Sequence, residues 1–313
     1  MTVQLVTNEK IAETSSKGNQ EKWFDGISGL WYKLDQFGYE SLSEVLVSRL
    51  LERSNVESDF PFRFVRYEME RLHVHGRDRN GCSSRNFLLP DQSIITLSHL
   101  YKRVLDKPLV ASLERLSSDK KRIAWLAEET AEITQLPDFP KYLTLLFEID
   151  ALFLNEDRHL NNIALLEENG TYSYCPIFDN GAALLSNTQI YGMDIDPAAH
   201  IKSVRARPFN TTFNRQIITA RNLFGPQLRI PKFSRSDIMA ELEPLLAFYH
   251  RSPSIHGSCS EKGLKVPFPA YLFPRSVYLL LHKACPVLPD TTPDPDSHQH
   301  TAHKLRYASK KPV

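Results

Sequence analysis

The sequence has few cysteines and no long apolar run, and each shortage argues against a class of protein. Its four cysteines lie far apart without a CxxC pair, so their spacing supports neither a zinc ribbon nor a disulfide framework. No apolar stretch reaches the roughly 18 residues that a membrane-spanning helix needs. The first residues also lack the apolar segment of a signal peptide. We therefore expect a cytoplasmic location without a membrane span.

An excess of charge of one sign is also missing. Lysine and arginine number 38 against 37 acidic residues, for a net charge of +1. Composition therefore gives no general electrostatic reason to expect nucleic acid or an anionic membrane as the partner. With 313 residues and 42% apolar composition, the chain can bury a core of one large domain or two modest ones.

The end of the chain differs from the rest. Residues 251–313 carry 9 basic and 4 acidic residues, nine of the 20 prolines and five of the 11 histidines. We expect this Pro/His-rich tail to be largely disordered, because it has almost no periodicity. An apolar patch at 276–288 indicates one short docking helix within it.

Apolar periodicity predicts a β-rich start. Residues 17–35 read as a hairpin around the turn-rich run Gly-Ile-Ser-Gly. The segment 41–53 repeats apolar residues at steps of three and four, which is typical of an amphipathic helix. A β-rich run follows at 62–70, and the polar, glycine-containing run at 76–84 predicts a loop.

From residue 94 to about 155 the period is helical, and the pattern then returns to strand. Residues 163–178 form two β runs joined by Asn169-Gly170, a strong hairpin-turn signal. The segment 234–250 again predicts a helix, with Pro244 as a kink or boundary.

Two polar strings flank this second hairpin, one in the loop before it and one at its end. They are Asn155-Glu-Asp-Arg-His-Leu-Asn-Asn162 and Pro176-Ile-Phe-Asp-Asn-Gly181. Phosphoryl transfer from ATP needs a carboxylate facing the acceptor hydroxyl, and an amide with a second carboxylate to hold magnesium. Asp157, Asn162 and Asp179 provide those groups. Each string alone also fits an ordinary charged loop or tight turn.

A strand lysine adds to this set. Lys33 lies between apolar neighbours in the first hairpin, and Glu44 lies early on the following helix. Kinases hold the α and β phosphates with a strand lysine paired to a helix glutamate. Glu40 is the alternative partner, because the predicted helix start is uncertain by one turn. Taken alone, Lys33 also fits a solvent-facing edge residue.

The ordered motifs resemble those of the HipA-like serine/threonine kinases, an atypical branch of the kinases, over residues 12–250. The resemblance rests on four motifs: Ser15-Ser-Lys-Gly-Asn-Gln-Glu-Lys22, Lys33, Asp157-Arg-His-Leu-Asn-Asn162 and Phe178-Asp179. It implies an α+β, two-lobed protein-kinase-like fold. The small β-rich N-lobe would span residues 1–70 and the mainly helical C-lobe residues 71–250.

The resemblance also implies roles for single residues. Asp157 would act as the base or as an orienting carboxylate for the acceptor hydroxyl. Asn162 and Asp179 would bind Mg²⁺, and Lys33, paired with Glu44, would contact phosphate. Gly18, Asn19 and Gln20 would form the loop that covers the nucleotide, with Lys22 behind it. The hinge that binds adenine would lie near Tyr67, Glu68 and Met69. Ser15 would be a self-phosphorylation site. Arg158 and His159 are expected to be buried polar side chains that fix Asp157.

These likenesses predict an ATP- and Mg²⁺-dependent kinase that acts on serine or threonine hydroxyls of an unnamed protein substrate, with self-phosphorylation. The chain is similar to the short, single-domain members, without the extra N-terminal subdomain of the toxin kinases, which argues against an antitoxin partner. Two alternatives stay open: a non-catalytic, nucleotide-binding pseudokinase, and a lipid or small-molecule kinase, since phosphoinositide kinases share an Asp-Arg-His loop. Residues 205–214 read either as acceptor contacts or an activation segment, or as a plain surface loop.

Overall fold

The computed structural model describes residues 3–5, 20–192 and 194–249. Ser15, Gly18, Asn19 and the tail at 251–313, with its predicted helix at 276–288, lie outside these ranges. The described residues form a small lobe built on an antiparallel sheet and a larger, mainly helical lobe. This is the two-lobed α+β architecture that the motifs imply.

The small lobe is built on a five-stranded sheet in the order β1-β4-β5-β3-β2. Its strands are β1 (Val3–Leu5), β2 (Lys22–Asp25), β3 (Leu30–Leu34), β4 (Glu68–Val74) and β5 (Arg77–Arg85). Only the β1–β4 pair is parallel. The predicted hairpin is confirmed as β2 and β3, which are joined by a turn that ends at Gly29, where φ is +69°.

Side-chain alternation along β3 decides what faces the site. Tyr32 and Leu34 point into a small core with Trp23 on one face of the sheet. Neighbouring side chains in a strand point to opposite faces, so Lys33 points to the other face, where the first helix packs.

The prediction of a loop at 76–84 is wrong. These residues form most of β5, which lies inside the sheet and pairs with both β3 and β4. Pairing on both sides has overridden a polar, turn-like local sequence. Position 81 of this strand takes glycine because a Cβ there would lie 2.5 Å from the Lys33 carbonyl oxygen. The sheet therefore continues to Arg85, beyond the lobe boundary that the sequence put at residue 70.

The helices of the described residues are α1 (Glu40–Leu51), α2 (Leu97–Leu105), α3 (Leu109–Glu114), α4 (Asp119–Thr134), α5 (Phe139–Phe153), α6 (Pro197–Ser203), α7 (Phe213–Phe224) and α8 (Arg235–Leu246). The predicted helices at 41–53 and 234–250 are confirmed as α1 and α8. Pro244 lies inside α8, close to its end. Helix α5 is buried along almost all of its length and forms the centre of the large lobe.

A second, three-stranded sheet lies in the large lobe in the order β6-β7-β8, formed by β6 (Ser93–Thr96), β7 (Ala164–Glu168) and β8 (Thr171–Tyr174). The predicted Asn169-Gly170 hairpin is confirmed, with positive φ at both turn residues. The start of the predicted helical region is corrected, because Ser93–Thr96 pairs with β7 as a strand. Within the described ranges, no helix is both long and apolar enough to cross a membrane.

Candidate active site

Lys33 joins the two carboxylates that the sequence assigned to the site. Its Nζ lies 2.5 Å from Oε1 of Glu44 on α1 and 2.8 Å from Oδ1 of Asp179 after the second hairpin. Glu44 is fully buried, and the Lys33 side chain is only 12% exposed. Three predicted residues from distant parts of the sequence therefore meet at one point between the lobes.

The structure decides between the two candidate partners of Lys33. Glu40 turns away and accepts hydrogen bonds from the backbone amides of Phe37 (2.6 Å) and Gly38 (3.0 Å). Glu44 lies one turn later on α1, on the side that faces the sheet. Its Oε2 accepts a hydrogen bond from the Asn180 amide at 2.8 Å, so its carboxylate contacts both sides of the site.

Burial and the charges of the neighbouring side chains together set the pKa values of this cluster. Burial opposes the charged form of Lys33, but Asp179 and Glu44 outweigh it and hold the lysine pKa well above its usual value. Burial also opposes the charged form of Asp179, yet Lys33 and Lys22 hold its pKa well below the ordinary value. The Glu44 pKa is raised, mainly by burial. Lys33 and Asp179 are therefore charged at neutral pH.

The backbone around Asp179 is fixed from several sides. Its φ of +63° lies in the left-handed region, which turns the chain sharply at the end of the hairpin. Its amide donates to the Tyr67 hydroxyl at 3.5 Å, and its carbonyl accepts from Nδ2 of Asn155 at 3.2 Å. Asp179 is thus held by the small lobe and by the loop before the hairpin.

Arg158 connects the two polar strings. Its guanidinium is buried and paired with Asp150 at 3.1 Å. From Nη1 it donates to the carbonyls of Asn162 (3.2 Å) and Phe178 (2.6 Å), and from Nη2 to Oδ1 of Asn180 (2.9 Å). One side chain therefore brings the two strings together, and the interpretation of Arg158 as a buried architectural residue is confirmed.

The Asp157 side chain is 60% exposed. Burial raises its pKa, His159 opposes this, and the nearby charge of Asp179 adds to the rise. The expectation that His159 is buried is wrong, because its side chain is 46% exposed and lies 3.8 Å from Asp157. Asn162 donates from Nδ2 to the Asp157 carbonyl at 2.8 Å, which fixes the loop between them.

The donor set suits Mg²⁺ held together with nucleotide phosphates. The Asp179 carboxylate is kept ionised, and its Oδ2 accepts no hydrogen bond from the described residues. The Asn162 amide donates through Nδ2, which leaves Oδ1 for a cation. No group of three or more His, Cys, Asp or Glu side chains within the described ranges forms a metal cage. Mg²⁺ in kinases needs none, since phosphates and water complete its octahedron.

The predicted phosphate loop is described only from Gln20 onward. Gln20 donates from Nε2 to the Leu34 carbonyl at 2.8 Å, which ties the end of this loop to β3. Lys22 lies directly opposite Lys33 in the β2–β3 pair. Burial lowers its pKa, while Asp179 acts in the opposite direction. A second amine therefore faces the same carboxylate.

The predicted location of Tyr67, Glu68 and Met69 is corrected. These residues were expected at the end of the last strand of the small lobe, but they lie at and before the start of β4, and β5 follows. Tyr67 is buried, with Lys33 Nζ 5.3 Å from its ring centre. The segment that leaves the last strand is 86–88 instead. In this segment, the Phe87 ring lies 6.5 Å from the Phe178 ring. The segment was missed in the sequence because it shows no apolar periodicity.

No protein-family model and no curated protein matches the chain in sequence. Among solved structures, the chain is similar to the Helicobacter pylori proinflammatory kinase CtkA, with a TM-score of 0.52 and 12% identity over 87% of this chain and 88% of that one. It is also similar to HipA in the HipA, HipB and operator DNA complex of the Shewanella oneidensis MR-1 toxin–antitoxin system. There the TM-score is 0.40 and identity 12%, over 88% of this chain and 65% of that one.

At 12% identity such likeness shows the fold alone. The Helicobacter pylori protein is a kinase, and the likeness to it covers most of both chains. The chain therefore has a two-lobed, kinase-like fold, with Lys33 in contact with both Glu44 and Asp179 between its lobes.

Proposed function

We propose that the chain is an ATP- and Mg²⁺-dependent kinase that transfers the γ-phosphoryl group to serine or threonine hydroxyls. The observation that carries the proposal is the contact of Lys33 with both Glu44 (2.5 Å) and Asp179 (2.8 Å). A fold can keep a kinase shape without this arrangement. A buried lysine between a helix glutamate and a metal-binding aspartate is the arrangement that positions ATP phosphates.

Each group then has one task. Lys33, with Lys22 opposite it, binds phosphate oxygens, and Asn162 with Asp179 holds Mg²⁺, which supplies charge neutralisation at the phosphates. Asp157 accepts the proton of the acceptor hydroxyl. The hydroxyl oxygen bonds to the γ phosphorus, the bond to the β–γ bridging oxygen breaks, and ADP leaves. Positioning and charge compensation provide most of the rate enhancement.

The adenine ring would lie against the segment 86–88, where the chain passes from β5 to the large lobe. The Asn86 amide is already bonded to the Gly29 carbonyl at 3.0 Å, and the Leu88 amide to Oδ1 of Asn86 at 3.3 Å. The Phe87 amide and the carbonyls of Phe87 and Leu88 are therefore the candidates to meet the base. The apolar cluster of Phe87, Leu88 and Phe178 provides a surface for its ring.

Incubation with γ-labelled ATP and Mg²⁺ tests the proposal, with ADP release and label on the protein as readouts. The variants are Asp157→Asn and Asp179→Asn, with Asp106→Asn as control, since Asp106 is 91% exposed and asparagine tolerates its left-handed backbone. We expect the two site variants to lose several powers of ten in rate, or about 4 kcal/mol or more. The control should stay active.

The other outcomes are equally readable. Equal ADP release by all four proteins would remove Asp157 and Asp179 from the chemistry. ATP binding without ADP release above buffer would favour a pseudokinase. Label that moves into an organic extract when lipid vesicles are added would identify a lipid kinase.

A further inference from the structure

A long part of the large lobe carries positive charge only. Residues 197–236 contain eight lysines and arginines and no aspartate or glutamate. The whole chain has 37 acidic residues in 313, about one in eight, so 40 residues of average composition would hold about five. This run includes α6, α7 and the start of α8.

Three of these charges are neutralised from outside the run. Arg215 pairs with Asp119 at 3.0 Å, Arg221 with the buried Glu148 at 2.5 Å, and Arg229 with Asp59. The acids come from other elements of the fold, and these pairs hold the large lobe together. These three pairs account for three of the eight positive charges in the run and leave the others to be explained.

Three other cations fall within six residues at the end of α6. Lys202, Arg205 and Arg207 are exposed, and none forms an ion pair with a described residue. Arg205 donates from Nη1 to the carbonyls of Lys202 (2.9 Å) and Ser203 (3.2 Å), so its guanidinium is fixed at the helix end. We call Lys202, Arg205 and Arg207 the α6 basic cluster.

Packing attaches this cluster to the catalytic loop. Tyr191 donates a hydrogen bond to Oε2 of Glu156 at 2.5 Å, and Glu156 directly precedes Asp157. On its other side, the Tyr191 ring lies 5.2 Å from the ring of His200 in α6, in an edge-on contact. The charge of Arg207 also acts on the carboxylates of both Glu156 and Asp157. The end of the cluster at Arg207 is therefore near the exposed Asp157 carboxylate.

We propose that the α6 basic cluster docks an acidic polypeptide segment, so that the kinase prefers acceptor hydroxyls flanked by aspartate or glutamate. This inference rests on the proposed kinase function and adds the substrate class. A polypeptide fits better than nucleic acid, because the cluster has only three charges, whereas phosphate-backbone binding takes six to ten contacts in typical cases.

Two serine peptides test the proposal, one with four flanking Asp and Glu residues and one with Asn and Gln in their place. The variant is Lys202→Gln with Arg207→Gln, which leaves the helix-capping Arg205 in place. The control is Lys120→Gln, an exposed lysine on α4. Each protein is assayed for phosphorylation of both peptides. Fluorescence anisotropy measures equilibrium binding of the acidic peptide, the neutral peptide and a single-stranded RNA.

We expect the double variant to lose about five- to tenfold in kcat/KM for the acidic peptide, mainly through KM, since each exposed charge pair contributes modestly. Loss of the Arg207 charge near Asp157 acts on both peptides alike, so the five- to tenfold fall should appear in the ratio of the two kcat/KM values, acidic over neutral. The preference of wild-type protein should shrink in high salt. The anisotropy measurement needs no catalysis, so it tests docking even where ADP release is absent and the kinase function itself fails.

Two results would overturn the proposal. One is equal binding of the acidic and neutral peptides by wild-type protein. The other is single-stranded RNA bound in preference to the acidic peptide and released by the double variant, which would assign the cluster to nucleic acid.

Discussion

Tyr249 donates a hydrogen bond to the carboxylate of Asp35, 2.6 Å away in space and 214 residues earlier in the sequence. The other oxygen of Asp35 accepts from the Ser41 amide at 2.7 Å, in the first turn of α1. The Tyr249 ring also packs edge-on against Tyr39, with ring centres 5.0 Å apart. The segment after the last described helix thus holds the start of the helix that carries Glu44.

This contact predicts a pH-dependent stability. Burial raises the pKa of Asp35 to about 7, against about 4 in an unfolded chain. Between these two pH values the carboxyl of Asp35 is protonated in the folded protein and ionised in the unfolded chain. The contribution of Asp35 to the free energy of unfolding is therefore fully present below about pH 4 and is lost as the pH rises through 7. Asp35→Asn mimics the neutral acid and should flatten this part of the profile.

The measurement is urea unfolding of wild type and Asp35→Asn at pH 5 and pH 8. The difference between the two proteins isolates Asp35 from other titrating groups, at no more than about 1.4 kcal/mol per pH unit. Parallel profiles for the two proteins would show that Asp35 titrates alike in the folded and unfolded states.

The two lysines that face each other across β2 and β3 should differ in their effect on stability. Lys33→Met removes the cation that contacts both the buried Glu44 and Asp179, and breaking a buried pair costs about 3–5 kcal/mol. Lys22→Met removes an amine whose charge burial already disfavours, so we expect its cost to be below about 1 kcal/mol. Denaturant midpoints of both variants provide the comparison, and a reversed order would contradict the charge assignment.

The sequence predicted the groups of the site better than their surroundings. Lys33 and Glu44 were found because kinases pair a strand lysine with a glutamate on the following helix, although the sequence left Glu40 open as the partner. The role of residues 77–85 was missed, since β5 is a strand only through pairing on both sides. That error moved the expected hinge to Tyr67–Met69, ahead of the real passage at 86–88. Arg158 was recognised as buried, but its bonds across to Phe178 and Asn180 depend on tertiary contact that no local pattern encodes.

Gly38 should be irreplaceable, unlike Gly26. A Cβ at Gly38 would lie 2.0 Å from the Ser186 carbonyl oxygen, whereas the nearest atom to one at Gly26 is 3.9 Å away. Gly38 also forms a β-bridge with Asn187, which connects the loop before α1 to the chain after Asp179. We expect Gly38→Ala to cost about 2–3 kcal/mol of unfolding free energy and Gly26→Ala to stay within about 1 kcal/mol.

Urea unfolding measures both alanine variants, and ADP release shows whether the bridge also matters for activity. A Gly38→Ala protein as stable as Gly26→Ala would mean that the Ser186 segment moves aside without cost.

Arg158→Lys should be far more harmful than the same change at the surface. Lysine cannot reproduce a fork that bonds Asp150 and the carbonyls of Asn162 and Phe178 together, and the buried carboxylate would lose most of its partner. We expect a loss of about 3 kcal/mol or more. Arg66→Lys is the matched control, because Arg66 is 52% exposed and bonded to Glu57 and Glu52. Thermal unfolding gives the loss of melting temperature for each variant. Equal losses for Arg158→Lys and Arg66→Lys would contradict a structural role for the buried guanidinium of Arg158.

The last prediction separates metal binding from fold at Asn162. Its Oδ1 is the proposed Mg²⁺ ligand, and its Nδ2 bonds the Asp157 carbonyl at 2.8 Å. The neighbouring Asn161 is exposed, so Asn161→Ala is a control one residue away. With one ligand oxygen removed, Asn162→Ala should need about 10- to 100-fold more Mg²⁺ for half-maximal ADP release. Asn162→Asp restores an oxygen ligand and should recover most of the Mg²⁺ affinity while it loses the bond to Asp157. If Asn162→Ala instead lowered the maximal rate at an unchanged Mg²⁺ requirement, the amide would act only by shaping the catalytic loop, and Asp179 alone would supply the protein's contact with the metal.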